Sequence, residues 1–354
     1  NFSDEENLIK NTVTNPYFMY SAFYSFGCRD IMNLVEDMGV KLKVERGNRV
    51  LPKSDKSSDI IKALNKFMNI NGVKTVLNCR VKGFKVGSGE ISGLITTKGE
   101  FSADSYILAT GGFSYPSTGS EGEGHGFASA LGHKVTKVYP SLVGLKADGF
   151  CRNLAGLTLK NIGIQAYVKD KKVYEDFGEL LFTHTGVSGP VILSASRYLT
   201  KEIKNEPKIY IDLKPALSES DLNKRILRDF GEFKNREFKN SLDKLLPKAL
   251  IPAVVKMTGI DEDKQVNSVS REERQRLIKV LKGFELNIYG TEGFNQAVIT
   301  CGGVDVKEID PSTMRSKIIN NLLFAGEIID VDALTGGYNL QIAFSTGYLA
   351  GINS

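Results

Sequence analysis

Apolar positions recur along this chain first in helical rhythm, then in strand-like rhythm, and the order of those rhythms outlines an architecture. Tyr17, Tyr20, Ser21 and Tyr24 form a stripe behind Pro16, and Ile31, Leu34, Val35 and Met38 repeat at helical spacing up to Gly39. Residues 16–38 are therefore expected to form two helices. Residues 40–45 read as a short strand, followed by a loop over 46–49. Ser57, Ser58 and Asp59 supply a cap for a helix with Ile60, Ile61, Leu64, Phe67 and Met68 on one face. Strands are expected at 73–77, 80–86 and 91–97, with Gly87, Ser88, Gly89, Lys98 and Gly99 in the turns. Residues 105–110 form an apolar strand that ends in Gly111-Gly112. A glycine-rich stretch, 119–126, leads into a short helix over 127–131.

From about Pro140 the texture changes. Short strand-like segments at 142–146, 162–168, 180–182 and 209–213 suggest a β-rich unit. Residues 218–282 return to helical spacing (Leu222, Ile226, Leu227; Leu242, Leu245, Leu246; Leu277, Ile278, Leu281) and are strongly charged. Alternation resumes at 297–300. Leu322, Leu323, Phe324 and Ala325 then make a buried-strand pattern that runs into Gly326-Glu327. Gly336 and Gly337 follow, and then an apolar helix (Leu340, Ile342, Ala343, Gly347, Tyr348, Ala350). The simplest architecture is an α/β core split by a long insertion. Residues 1–140 and 297–354 would form the α/β domain, 141–217 a β-barrel-like part and 218–296 a helical part. This places 109–112 and 324–327 as neighbouring strand ends of one sheet.

Composition narrows the classes. A chain of 354 residues suits two or three domains. Four cysteines (Cys28, Cys79, Cys151, Cys301) lie far apart with no CxxC, which argues against a zinc site or a disulfide framework and fits a reducing cytosol. Three histidines are too few for a multi-histidine metal centre. No apolar run approaches the roughly 20 residues that span a bilayer, so no membrane partner is expected. The cations of the helical stretch (Lys224, Arg225, Arg228, Lys234, Arg236, Lys239, Lys244, Lys248) alternate with acids. That pattern reads as a solvated surface rather than a nucleic-acid patch.

A strand that ends in glycine and a carboxylate, then glycines, then a helix, brings backbone N–H groups and one acid against a nucleotide cofactor. Ala109-Thr110-Gly111-Gly112 has the same small-residue character, which lets backbone pass close to a ligand. Each motif alone reads equally as a tight turn or a helix cap; their order, at the two ends of an insertion, is the specific signal. No strand–GxGxxG–helix unit is present. His184 carries the best imidazole for proton transfer near neutral pH, against the bland reading of a histidine satisfying barrel backbone. Thr183 and Ser188 are candidate binding residues. Arg46 and Arg49 can contact an anion or simply pair with local acids. Tyr115 and Tyr338 can stack near a cofactor or sit in the core, and Cys301 reads as a small buried side chain.

Four blocks carry a family resemblance: ATGGFSYPSTGSEGEGHGFASALGH (109–133), GELLFTHTGVSGPVILSAS (178–196), AVITCGGVDVKEIDPSTMRSK (297–317) and NLLFAGEIIDVDALTGGYNLQIAFSTGYLAG (321–351). With KVERGNRVLPKSDKSSDII (43–61) they make the chain resemble the BaiN-like (YhiN-like) family of FAD-dependent oxidoreductases, which includes the aminoacetone oxidases. The resemblance implies an α/β, glutathione-reductase-type FAD-binding domain, N-terminally truncated, interrupted by a β-barrel plus helical insertion. It implies FAD as cofactor and NAD(P)H as a candidate co-substrate. It places Val81 by the adenine; Thr110, Gly111 and Gly112 along the cofactor; Gly326 and Glu327 at the ribityl chain; and Asp330, Gly337, Tyr338, Asn339 and Leu340 where backbone N–H groups meet the flavin ring. Family members begin with a GxGxxG unit that holds the diphosphate. Roughly 50–60 residues are missing by that comparison, a small part of an FAD-sized domain, so weak FAD retention is expected.

The leading expectation is hydride transfer between a small organic substrate and flavin N5. Amine oxidation and reduction of a carbon–carbon double bond in a steroid-like acid both fit. The alternative is a non-catalytic flavoprotein fragment whose basic helical insertion binds RNA or another macromolecule.

Overall fold

The computed structural model describes residues 1–45 and 47–354. Arg46 lies outside the described residues. The chain forms two compact units, Asn1–Pro140 with Val298–Ser354, and Ser141–Ala297.

The first unit is built on a parallel strand pair. Tyr106–Leu108 and Leu322–Phe324 run side by side with Tyr106 opposite Leu322 and Leu108 opposite Phe324. The Ala325 N–H extends the ladder by donating to Leu108 O at 3.1 Å. The two stretches expected to be neighbours are therefore neighbours, although about 215 residues separate them in sequence. Leu322, Leu323 and Phe324 are all buried, as a strand covered on both faces requires. The closing helix, Tyr338–Ile352, packs Ile342, Leu349 and Ala350 into the same core. A three-stranded antiparallel meander, Val81–Gly87, Glu90–Thr96 and Gly99–Phe101, stands beside the pair. The Asn321 side chain ties it down, accepting from Ile91 N–H and donating to Ile91 O, both at 2.9 Å.

Several local expectations change. Glu5–Asn11 is a helix capped by the Asp4 side chain, which accepts from Asn7 N–H. Residues 73–77 are not a strand: no partner strand offers them a ladder among the described residues, and Val73 and Leu77 are exposed. The helix Ser57–Ile70 forms, but Lys56 occupies its N-cap without a side-chain bond, and the apolar stripe is only partly covered; Ala63 is its buried residue, Ile60 packs on a small core cluster, and Ile61 is 59% exposed. The strand Arg49–Pro52 pairs with Leu42–Glu45, so Arg49, expected in the loop, belongs to a hairpin strand. The short helix expected at 127–131 begins earlier, at Glu123, because Gly122 at φ 78° turns the chain into it.

The second unit is a closed barrel. Its six strands follow the order Thr158–Val168, Lys171–Phe182, Gly186–Ser188, Leu145–Ala147, Phe284–Thr291 and Lys208–Asp212, every neighbouring pair antiparallel. Side chains that alternate inward (Ile162, Ile164, Ala166; Leu180, Phe182; Ile209, Ile211; Phe284, Leu286, Ile288) fill it and are buried. Four α-helices, Glu219–Glu232, Phe238–Ser241, Ile251–Thr258 and Arg271–Lys282, lie between the last two strands in sequence. The stretch 218–296 expected as helical thus also contributes the barrel strand Phe284–Thr291. Leu222, Ile226, Leu277 and Leu281 join the barrel strands in one core.

Candidate functional site

The two parallel strands deliver their C-terminal turns to one place. After Leu108 the chain passes Thr110 and enters Gly111 at φ 72°; after Phe324 it enters Gly326 at φ 77° and a 3-10 turn carrying Glu327. Left-handed backbone at both points favours glycine on steric grounds. Thr346 of the closing helix holds the second turn, its hydroxyl accepting from Gly326 N–H at 2.9 Å.

Glu327 bridges the two turns through a residue the sequence reading did not single out. Thr300 N–H donates to Glu327 Oε1 at 2.8 Å, and Thr300 Oγ1 accepts from Phe113 N–H at 2.7 Å and meets Ser114 Oγ at 3.1 Å. A Cβ on Gly112 would collide with Thr300 Oγ1 and Glu327 Oε1. Glycine at this position is the condition for the loop and the carboxylate to touch. Burial pushes the Glu327 carboxyl above the usual range, helped by Asp332, while the Thr300 bonds pull the other way. The signal for Thr300 was its place two residues before the Gly302-Gly303 pair, too common a context to stand out alone.

Beyond Glu327 the chain runs to Asp330, whose N–H donates to Val304 O at 3.0 Å and whose carbonyl accepts from Asn15 Nδ2 at 2.7 Å. A Cβ on Gly303 would enter the Ile328–Asp330 backbone. Gly336 and Gly337, both at positive φ, then turn the chain into the helix that starts at Tyr338. The Asn339 side chain is committed locally: Ala333 N–H donates to its Oδ1 at 2.9 Å, and its Nδ2 donates to Ala333 O at 2.9 Å. Helix geometry leaves the first-turn N–H groups of Tyr338, Asn339 and Leu340 without partners inside the helix.

A cavity of about 560 Å³ reaches the first of these turns at Ala109 and Thr110; Gly326, Glu327 and residues 337–340 do not line it. It brings Val81 and Thr110 together, with Phe84, Leu108, Glu123 and Phe127 among its walls. Arg80 spans its rim, donating to Glu123 at 2.7 Å and to Glu121 at 2.9 Å. Ile107, 42% exposed, lies on a strand that has a single neighbour among the described residues.

The remaining candidates fall elsewhere. Arg49 pairs with Glu45 at 3.5 Å in its hairpin. Thr183, His184 and Ser188 belong to the barrel unit. Thr183 and His184 form the turn after Lys171–Phe182, where Thr183 Oγ1 accepts from Gly186 N–H at 3.1 Å, and Ser188 ends the next strand. His184 is exposed. Cys301 is buried and free of disulfide, as are Cys28 and Cys151. No group of three or more acids, histidines or cysteines suited to a metal occurs among the described residues. No helix among them is long and apolar enough to cross a membrane.

A parallel strand pair whose ends close on glycine turns and a half-buried glutamate is the frame of a Rossmann-type FAD-binding domain, and the class is that of the FAD-dependent oxidoreductases. A family profile described as "HI0933-like protein Rossmann domain" matches residues 1–353, and the chain belongs to that family. It is 30% identical over 340 residues to the 3-dehydro-bile acid delta(4,6)-reductase of Clostridium scindens, covering 95% of this chain and 82% of the relative. It is 29% identical over 349 residues to a ribosomal RNA dihydrouridine synthase of Haemophilus influenzae, covering 96% and 82%. Among solved structures it is similar to an open-conformation flavocytochrome c3 fumarate reductase, with a TM-score of 0.43 and 17% identity over 99% of this chain and 67% of that one.

Proposed function

We propose that this chain binds FAD along the turns at Thr110–Gly112 and Gly326–Asp330 and serves a reductase that adds two hydrogens across a carbon–carbon double bond conjugated to a carbonyl. The observation that carries the reading is the contact of Gly112 with Thr300 and Glu327, a cradle in which no side chain fits and one half-buried carboxylate is held ready. When bound, the flavin supplies the hydride from N5. The chain supplies placement. Glu327 accepts hydrogen bonds from ribityl hydroxyls, which offsets the penalty of its burial. The first-turn N–H groups at Tyr338, Asn339 and Leu340 stabilise negative charge at the pyrimidine end. Val81 lies on the adenine side. The open edge of Tyr106–Leu108 accepts a further parallel strand that completes the diphosphate site, so this chain by itself holds FAD weakly. His184 is the candidate proton donor, and Arg49, Thr183 and Ser188 are the candidate substrate contacts.

The substrate class follows from what the relatives' names share. A delta(4,6)-reductase and a dihydrouridine synthase both saturate a carbon–carbon bond conjugated to a carbonyl, and each needs a hydride at one carbon and a proton at the other. NAD(P)H is the candidate source of the electrons for this chain. The test is anaerobic: FAD-loaded protein is reduced, then mixed with a conjugated enone. Return of the oxidised-flavin absorbance in step with saturated product is expected. Failure of the protein to take up FAD, or a reduced flavin that no enone reoxidises, would sink the reading.

An RNA substrate is the second reading, favoured by the synthase among the relatives. The helical segment gives it little support. Lys224, Arg225, Arg228, Arg236, Lys239 and Lys244 each pair with an acid of that segment. A steep fall of RNA affinity with salt would favour RNA as the substrate.

A further inference from the structure

His125 is a buried polar side chain for which the cofactor reading has no use. It sits on the helix Glu123–Ala130, is 5% exposed, and neither ring nitrogen has a hydrogen-bond partner among the described residues. A neutral imidazole carries one donor and one acceptor, and burying both unpaired is unfavourable. What the ring does have is a stacking partner. It lies on Phe113 with centroids 5.2 Å apart and planes 22° apart. Phe113 follows Gly111-Gly112 directly, and its N–H is the group bound to Thr300.

The same helix closes on that loop at two further points. A Cβ on Gly122 would enter the Phe113 ring, and a Cβ on Gly124 would collide with Thr110 Oγ1 and come within 2.8 Å of Ile328 Cδ1. The helix start and the loop 110–113 are thus packed without spare volume, and His125 is the titratable part of the contact. The charged groups on the surrounding elements are otherwise engaged. Glu121 and Glu123 bind Arg80, and Glu327 binds Thr300 N–H.

We propose that uncharged His125 is a positioning residue. Its ring clamps the turn at residues 110–113 in the form that receives FAD, and uptake of a proton releases that turn. The inference rests on the FAD reading for its consequence, not for the clamp itself. An imidazolium donates from both ring nitrogens, and the described residues offer it no full pair of acceptors. Burial favours the neutral ring, with the Gly122 backbone opposing it and no carboxylate contributing. The sign follows: the folded-state pKa is lowered, so the stabilisation is complete above the ordinary value of 6.5 and is lost as pH falls below it.

The test compares hydrogen-exchange protection of residues 110–113 in the cofactor-free chain, corrected for intrinsic rates, with FAD titrations under the same conditions. In the wild type, protection and FAD affinity should each drop about tenfold between about pH 7.5 and about pH 5.5. His125→Phe keeps the stack and removes the proton site; it should hold both quantities within about twofold across that range. His125→Ala should be weak at both pH values. Wild-type protection that ignores pH, or a His125→Phe variant that responds as the wild type does, would overturn the proposal. The wild-type result decides alone if the variant does not fold. A pH-dependent turn in a protein that takes up no FAD at either pH would leave the clamp standing and remove the cofactor reading.

Discussion

The barrel unit and the split α/β unit solve the same problem in opposite ways. Each of the six barrel strands has two neighbours, and Phe182, Leu180, Ile164 and Phe284 are wholly enclosed. In the α/β unit, Tyr106–Leu108 has one neighbour among the described residues, Ile107 is exposed, and the helix Ser57–Ile70 leaves Ile61 and Phe67 of its apolar stripe exposed. A closed ladder satisfies its own backbone and buries its own core. An open one keeps an edge and a groove, and the glycine turns and the half-buried carboxylate follow the C-terminal ends of that open pair. The difference teaches that the candidate chemistry sits where the fold is least complete.

The largest expected effect tests the closed side. Phe182→Ala should destabilise the protein by about 3–5 kcal/mol by leaving a cavity in the barrel, whereas Ile107→Ala on the open edge should change stability by no more than about 0.5 kcal/mol. Denaturant unfolding of both variants checks the contrast, and equal losses would erase it. Gly112→Ala comes next. The added methyl forces Thr300 and Glu327 apart, so a loss of about 1–3 kcal/mol and no measurable FAD uptake are expected from melting and flavin titration.

Glu327→Gln separates fold from function in the open unit. The Glu327 carboxyl is raised in the folded state, so its contribution is full below the ordinary value of 4.5 and is lost as pH rises above it. The Tm of the wild type should therefore fall relative to that of the glutamine variant as pH rises from acid toward neutral, while FAD binds the variant more weakly. A Tm difference that does not vary with pH would show that the carboxyl is not strained by burial. The smallest effect is expected on the charged helices. Lys244→Ala breaks an exposed pair with Glu232, 2.8 Å long, and should leave the denaturant midpoint almost unchanged.

Much of the first unit was legible because its signals are local. Leu322–Phe324 reads as a covered strand from apolar run length alone, and Gly337 marks the start of the last helix as a left-handed residue must. Residues 73–77 misled for the opposite reason. Their apolar content suits a strand, but a strand exists only where a neighbour completes its ladder. Phe284–Thr291 was read within the helical stretch because nothing in its own eight residues says that Lys208–Asp212 and Leu145–Ala147 flank it. The site divides in the same way. Gly112 and Glu327 were visible as motif residues, and His125 as part of the glycine-rich stretch 119–126 that could cross near the cofactor; Thr300, which joins the two turns, and the stacking of His125 on Phe113 were not.

Spacing of apolar residues and the placement of glycines determined the kinds of element, their order, and the long interruption between the two strand ends. These are properties of near neighbours, set by backbone sterics and by the hydrophobic effect along a single helix or strand. The tertiary structure alone decided that the two ends meet, that a threonine bridges them, that the barrel closes, and that a histidine stacks against a phenylalanine. Each of those depends on residues far apart in sequence approaching within a few ångströms, and no short-range pattern carries that information.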